Sequence, residues 1–105
     1  LYELAPVLDV SVNAAEIRLT ADMVAPLSPM RFPGRFRVPL LIAAGGAEAP
    51  LWRDQSVDFA AAVTAAGGEA RYLEVAGANH YTIAEGLIDA ESPLGEAVLG
   101  FLSGA

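Results

Sequence analysis

The sequence predicts an α/β fold with a parallel sheet and flanking helices. Two short apolar segments, residues 38–44 and 70–75, have the length of strands, and the stretch between them has helical periodicity. A strand, a helix and a second strand in this order form a βαβ unit, which places its two strands parallel in one sheet. Both strands then end at the same edge, so the loops that follow them are where we expect a functional site.

The first 37 residues show no comparable pattern. Prolines divide them, and we predict one or two short helices at residues 14–19 and 21–24, with the Thr20 hydroxyl capping the second. The stretch 31–37 (RFPGRFR) surrounds a Pro-Gly pair and is predicted to be a loop.

The predicted βαβ unit begins with the most hydrophobic strand of the chain. Residues 38–44 are apolar throughout and precede two glycines, a pattern typical of a strand covered on both faces. Residues 51–66 carry apolar or small side chains at intervals of three and four, which predicts a helix, and a second glycine pair ends it. We interpret Trp52, on the apolar face of this helix, as a core anchor.

The second strand and the last helices are also indicated by the sequence. Residues 70–75 alternate, with charges on both faces near the ends, which favours an edge strand. A short helical piece is predicted near residues 83–87, and a last helix at 94–102 with Ser92 as N-cap and Pro93 in the first helical position.

Composition restricts the classes of function. Thirteen acidic and six basic residues give a net charge of −7, which repels the phosphates of nucleic acids and of anionic membranes, so we expect neither partner. There is no cysteine, and no apolar run approaches the roughly 18 residues of a membrane span. The sequence starts at Leu1 without a signal-like segment, and we expect a cytoplasmic piece of a longer protein.

Two side chains suited to catalysis follow the two predicted strands. Glu48 lies in the turn after the first strand, and His80, the only histidine, lies in the loop after the second. Neighbouring strands about 4.8 Å apart would bring both loops to one edge. There a carboxylate can hold one imidazole nitrogen while the other takes a proton from a nucleophile. We therefore predict that Glu48 and His80 are catalytic, as the acid and the base of a triad.

Simpler interpretations of these residues stay open. His80 could be a polar loop residue or a packed histidine bonded to a backbone carbonyl. Glu48 could be a solvated turn carboxylate, with Asp54 as the acid instead. We favour Glu48 because Asp54 falls further into the predicted helix, where its side chain would point into solvent.

The order of acid, strand, helix, strand and histidine resembles the C-terminal part of the α/β-hydrolase superfamily. The segment GGAEAPLWRDQSVDFAAAV is similar to the acid turn and following helix of the kynurenine formamidase (arylformamidase) and esterase group. LSPM at residues 27–30 and VAGANHYTI at residues 75–83 are similar to the segment before the strand and to the histidine loop of that group. The resemblance covers nearly all 105 residues and gives Glu48 and His80 the acid and base positions.

The resemblance implies one segment of a hydrolase domain. Residues 1–37 would be irregular, and residues 38–105 would carry the acid and the histidine. The chain would be the C-terminal portion of an α/β-hydrolase fold, incomplete on its own, and the two-sided apolar strand would leave it aggregated or partly molten when expressed alone.

The nucleophile of such an enzyme is absent from this sequence. There is no G-x-S-x-G elbow and no HGG-type oxyanion segment, and no serine lies on a glycine-flanked turn between a strand and a helix. The five serines are Ser11, Ser28, Ser56, Ser92 and Ser103.

The implied function is that of a serine hydrolase for a small ester or amide, with N-formylkynurenine-like formamides as the suggested substrates. The expected partner is the N-terminal remainder of the same hydrolase, which would carry the serine and the oxyanion hole, so this chain alone is expected to be inactive. No cofactor and no metal are implied.

Two other functions are compatible with the composition. The chain could be a non-catalytic α/β module that binds a partner through apolar surface, or a catalytically dead protein with a hydrolase-like fold. A G-x-S-x-G sequence after an apolar strand upstream of Leu1 would favour the enzyme, and its absence would favour the module.

Overall fold

A two-stranded parallel sheet with helices packed against it organises the computed structural model, which describes residues 2–6 and 20–104. In chain order the elements are α1 (Ala21–Leu27), β1 (Leu40–Gly45), α2 (Pro50–Ala65), β2 (Ala70–Val75), α3 (Thr82–Glu85) and α4 (Pro93–Leu102). Short 3₁₀ turns lie at Pro29–Arg31, Pro33–Arg35 and Gly86–Ile88. The predicted α/β class and the predicted βαβ unit are confirmed.

The two strands pair in parallel over their whole length. The register runs from Leu40 opposite Ala70 to Gly45 opposite Val75, so both strands end at the same level. The loops that follow β1 and β2 therefore leave the sheet side by side, as the strand order predicted.

Helix α2 covers the sheet with the apolar face that its periodicity predicted. Its buried residues are Gln55, Ser56, Phe59, Ala60 and Val63. Phe59 and Val63 join Ile42 of β1 in the hydrophobic core, and the Phe59 ring stacks on Tyr2 with the centroids 4.3 Å apart. Burial of this face provides the main apolar contact between α2 and the sheet.

Helix α2 ends at the predicted glycine pair. Gly67 has a φ of +91°, and its N–H donates to the Thr64 carbonyl at 3.0 Å. The Gly68 N–H donates to the Val63 carbonyl at 2.9 Å. These two bonds form a Schellman motif, which requires a left-handed residue and therefore favours glycine at position 67.

Residues 2–6 are docked on this unit mainly through their backbone. The Gln55 Oε1 accepts the N–H groups of Tyr2 and Glu3, both at 2.8 Å, and the Gln55 Nε2 donates to the Glu3 carbonyl at 2.8 Å. The hydroxyl of the fully buried Ser28 accepts the Leu4 N–H at 2.9 Å. Gln55 therefore bonds to a segment outside α2 rather than within its own helical turn.

Other predicted boundaries also need correction. Helix α1 extends to Leu27 and contains Pro26 near its end, where the proline removes only one backbone hydrogen bond. Thr20 precedes α1 in an extended conformation, but its carbonyl, rather than its hydroxyl, accepts the Met23 N–H. The predicted loop at 31–37 includes 3₁₀ turns. The helix predicted at 14–19 lies outside the described residues.

The last helix begins as the sequence predicted. Ser92 is the N-cap of α4, where its Oγ accepts the Gly95 N–H at 2.9 Å, and Pro93 takes the first helical position. The Ser92 hydroxyl also donates to the Gly86 carbonyl at 2.6 Å, which joins α4 to the turn before it. Within residues 2–6 and 20–104, every helix is too short or too polar to cross a membrane.

Two valines on α2 test this packing with one and the same substitution. Val63 is fully buried, whereas Val57 is 44% exposed. Val63→Ala should lower the free energy of unfolding by about 2 kcal/mol, because it removes two buried carbon atoms and leaves a cavity. Val57→Ala should change it by less than about 0.5 kcal/mol. Urea denaturation measures both, and equal losses would contradict the observed face of α2.

Candidate active site

Glu48 lies in a tight turn at the end of β1. The Glu48 N–H donates to the Gly45 carbonyl at 3.0 Å, which folds the chain back over the strand end. The side chain follows this fold, and its Oε2 accepts the Gly45 N–H at 2.5 Å. The turn therefore holds the carboxylate at the sheet edge, where the side chain is only 6% exposed.

The chain after β2 turns sharply before it reaches His80. The Ala78 N–H donates to the Val75 carbonyl at 3.2 Å, and Gly77, inside this turn, has a φ of +77°. A left-handed residue at this position of a turn favours glycine. The turn directs the following residues back toward the end of β1.

Asn79 stabilises the segment that carries His80. Its Oδ1 accepts the N–H groups of Tyr81 and Thr82 at 2.9 and 2.8 Å, and the Thr82 Oγ1 accepts the Asn79 N–H at 2.8 Å. This reciprocal pattern satisfies backbone donors at the start of α3, as in a capping box. His80 is thus presented from an ordered loop between β2 and α3.

The two loops are in direct backbone contact. The Ala47 N–H donates to the Ala78 carbonyl at 2.9 Å, and the Gly46 N–H donates to the Val75 carbonyl at 2.8 Å. A Cβ atom on Gly45 would lie 2.1 Å from the Ala78 oxygen, far inside van der Waals contact. The absence of a side chain at position 45 is what allows this approach.

The structure brings Glu48 and His80 together, as the order of the strands predicted. The Glu48 Oε1 lies 2.7 Å from the His80 Nδ1. The carboxylate is almost fully buried, whereas the imidazole side chain is 52% exposed. Because an ionised carboxylate can only accept, Nδ1 must carry the hydrogen, and the neutral ring then has an unprotonated Nε2 that can take up a proton.

The surroundings of Glu48 favour its ionised form. Burial alone would raise the pKa of the carboxyl group, but the hydrogen bond from the Gly45 N–H and the hydrogen bond and charge of His80 outweigh it. The net result is a pKa below the ordinary value of 4.5. Both oxygens of the carboxylate accept a hydrogen bond, one from the backbone of β1 and one from His80 in the loop after β2.

Aromatic side chains border the imidazole. The Trp52 ring, in the first turn of α2, lies 4.4 Å from the His80 ring between centroids, with the planes inclined by 32°. The Tyr81 ring meets His80 edge-on at 5.8 Å. A pocket of about 190 Å³ opens here, lined by Tyr2, Ala43, Glu48, Trp52, Ser56, His80 and Ile83. The imidazole thus faces a small cleft that is partly aromatic.

The other candidate residues lie elsewhere. Asp54 is exposed on α2, and the carboxylate bonded to His80 is that of Glu48. Ser28 and Ser92 bond to backbone groups as described above, Ser56 donates to the Trp52 carbonyl, and Ser103 donates to the Gly100 carbonyl. Ser11 lies outside the described residues. In residues 2–6 and 20–104, no three His, Asp or Glu side chains cluster in a way that could hold a metal ion.

Three residues of the site were not identified from the sequence. Trp52 was interpreted as a core anchor, yet it contacts His80 and lies outside the core cluster. No role was predicted for Asn79, although an Asn shortly before a helix is a recognisable capping signal. Gly45 is the first of the two glycines after residues 38–44, and its steric role depends on a contact with the distant Ala78, which no local pattern reveals.

Comparison with known proteins gives one distant relative. Over 94 residues the chain is 28% identical to a kynurenine formamidase of Danio rerio. The aligned region covers 85% of this chain and 32% of the relative. The chain therefore spans about a third of the length of that relative. No family model and no solved structure matches. The similarity indicates a distant, hydrolase-like relationship.

The lowered pKa of Glu48 predicts a pH dependence of stability. Between the lowered pKa and the ordinary value of 4.5, the unfolded chain binds more protons than the folded protein, so the free energy of unfolding rises with pH. The stabilisation should be complete above about pH 4.5 and lost as the pH falls through the lowered pKa. Urea denaturation between about pH 3 and 6 should show a shallower dependence for Glu48→Gln. Glu69→Gln, at an exposed residue just before β2, controls for net charge, and an unchanged dependence in Glu48→Gln would contradict the assignment.

The contact between the loops predicts that alanine at two adjacent glycines lowers the free energy of unfolding by different amounts. Gly45→Ala forces a methyl group against the Ala78 carbonyl and should destabilise the protein by about 1–3 kcal/mol or more. Gly46→Ala is the matched control, because its Cβ would have no neighbour closer than 3.4 Å. It should change the free energy of unfolding by less than about 1 kcal/mol. Equal effects of the two substitutions in urea denaturation would show that the loops do not approach as described.

Proposed function

We propose that Glu48 and His80 are the acid and the base of a serine-hydrolase triad. The observation that carries this proposal is the 2.7 Å hydrogen bond between a buried carboxylate and a half-exposed imidazole at the carboxyl edge of parallel strands. A histidine held at Nδ1 in this way has Nε2 available for proton transfer. The resemblance to α/β-hydrolases and the distant formamidase relative support the same assignment.

The proposed mechanism assigns one task to each side chain. His80 Nε2 takes the proton of a serine hydroxyl as the serine oxygen bonds to the substrate carbonyl carbon. It then gives that proton to the leaving alcohol or amine as the acyl-oxygen or acyl-nitrogen bond breaks. Glu48 keeps the ring oriented and stabilises the imidazolium between these two steps. Water then releases the acid by the reverse sequence of proton transfers.

The nucleophile in this proposal is a serine outside these 105 residues. The described serines support it indirectly, because Ser28, Ser56, Ser92 and Ser103 are each engaged in hydrogen bonds to backbone groups rather than to His80. The chain spans about a third of its formamidase relative, which leaves room in a protein of that length for a nucleophile and an oxyanion hole. Those groups would be contributed by the partner segment expected from the sequence.

The proposed substrates are small esters or amides, with aryl formamides as the first choice. The name of the relative, kynurenine formamidase, suggests N-formylkynurenine. Hydrolysis of this formamide would yield formate and an aromatic amine, and the reaction can be followed by the absorbance of kynurenine. An activated ester such as p-nitrophenyl acetate provides a second assay that depends less on substrate fit.

Replacement of the histidine in the complete protein tests the proposal. His80→Ala should lower kcat for p-nitrophenyl acetate about 10³-fold or more, because no other described side chain can replace the base. Circular dichroism should show that the variant is folded. A folded His80→Ala protein with most of its activity would reject the assignment. A wild-type protein without esterase or formamidase activity would favour the non-catalytic module or the catalytically dead hydrolase.

Substitutions of Glu48 and Asp54 test which of these two carboxylates is the acid of the proposed triad. Glu48→Gln should lower kcat by orders of magnitude, since loss of the acid costs about 10⁴-fold in serine proteases. Asp54→Asn removes the same charge from an exposed site six residues away and should leave kcat within about 2-fold of the wild type. A large loss in Asp54→Asn alone would overturn the assignment of Glu48.

A further inference from the structure

We propose that Trp52 is the positioning residue for the His80 imidazole, holding one face of the ring while Glu48 holds Nδ1. The effect of Trp52 on turnover rests on the proposed function. Its effect on the orientation of the imidazole rests on geometry alone. Trp52 lies four residues after Glu48, at the start of α2. One short segment of the chain therefore provides both constraints on the histidine.

The geometry of the two rings carries the argument. Their centroids are 4.4 Å apart, and the planes are inclined by 32°, so the two rings meet in a tilted arrangement. A centroid distance in this range is typical of favourable aromatic pairs. The indole therefore covers one face of the imidazole, while the side chain as a whole is still 52% exposed.

A second constraint is needed because one hydrogen bond does not fix a ring. The Glu48 contact restrains Nδ1, but the imidazole could still pivot about that contact, which would move Nε2 away from a reacting group. A flat surface against one face blocks that pivot. Because small displacements of a catalytic group lower the reaction rate strongly, a surface that fixes the imidazole should raise kcat.

The indole also favours the charge that the proposed mechanism creates. A cation over the face of a tryptophan is stabilised by the ring quadrupole. The groups next to His80 are the Glu48 carboxylate, the Trp52 indole and the Tyr81 ring, whose plane is inclined by 74° to the imidazole. The carboxylate and the indole therefore both stabilise an imidazolium, from different directions.

Trp52 is itself well fixed. The backbone N–H of Trp52 donates to the Ala49 carbonyl at 3.0 Å. The backbone carbonyl of Trp52 accepts a hydrogen bond from the hydroxyl of the buried Ser56 at 3.0 Å. The backbone that carries the indole is thus part of the first turns of α2, the helix that packs on the sheet. A rigid support is what a positioning side chain requires.

Kinetics of two substitutions in the complete protein test the role in turnover. Trp52→Leu keeps an apolar side chain but removes the flat aromatic face, and it should lower kcat about 10-fold with little change in KM. This loss corresponds to about 1.4 kcal/mol, which lies within the range of a cation–π contact. Trp52→Phe restores an aromatic face and should recover kcat to within about 3-fold of the wild type.

Nuclear magnetic resonance tests the same role without reference to activity. His80 is the one histidine of these 105 residues, and in the complete protein its imidazole resonance is assigned as the one that disappears in His80→Ala. The wild type and Trp52→Phe should show a downfield Nδ1–H resonance that exchanges slowly with water. In Trp52→Leu this resonance should broaden, because the freed ring exposes the proton. Urea denaturation identifies any variant that has lost its fold.

The outcomes separate this inference from the proposed function. If the wild type hydrolyses no ester or formamide, yet Trp52→Leu broadens the His80 resonance, the positioning role stands and the proposed function fails. If folded Trp52→Leu keeps both the wild-type resonance and the wild-type kcat, the positioning role is overturned and the hydrolase assignment is untouched. A rise in KM at constant kcat would also overturn it, since that pattern indicates a wall of the binding pocket.

Discussion

The close backbone contact between Gly45 and Ala78 determines the rest of the site. Parallel pairing brings the ends of β1 and β2 to the same level, but the distance between the loops beyond them depends on what the backbone atoms allow. With no side chain at Gly45, the Ala78 carbonyl can approach and accept the Ala47 N–H. Glu48 and His80 follow directly on either side of this contact, so their hydrogen bond depends on it.

The site combines a buried carboxylate with a half-exposed imidazole. Burying a carboxylate is costly unless its oxygens are bonded to donors. Here one oxygen accepts a backbone N–H of β1 and the other accepts the imidazole, so the cost of burial is offset and the acid stays ionised. The imidazole lines a partly aromatic cleft and is half-exposed.

Local patterns in the sequence predicted most of the fold, and long-range contacts account for what they missed. The strand 70–75, the glycine stop of α2 and the Ser92 cap each follow from a few adjacent residues, and each was predicted correctly. The pairing of Glu48 with His80 was also accessible, because parallel strands end together. The Gln55 bonds join residues more than 50 positions apart, and the contact of Trp52 with His80 joins helix α2 to the loop after β2. Periodicity within a helix identifies a buried face, but it does not distinguish a side chain in the core from one at the edge of a cleft.

The docking of residues 2–6 shows how a primary amide can recognise a peptide backbone. Gln55 accepts two consecutive N–H groups and donates to a carbonyl, and a glutamate at this position could not supply the donor. The Gln55 amide bonds only to main-chain atoms of this segment, so it makes no hydrogen bond to the side chains at positions 3 and 4. Tyr2 is the exception, since its ring stacks on Phe59 and lines the cleft beside His80. A substitution that removed the Gln55 hydrogen bonds would therefore release the segment that carries Tyr2, which is one of the residues that line the cleft beside His80.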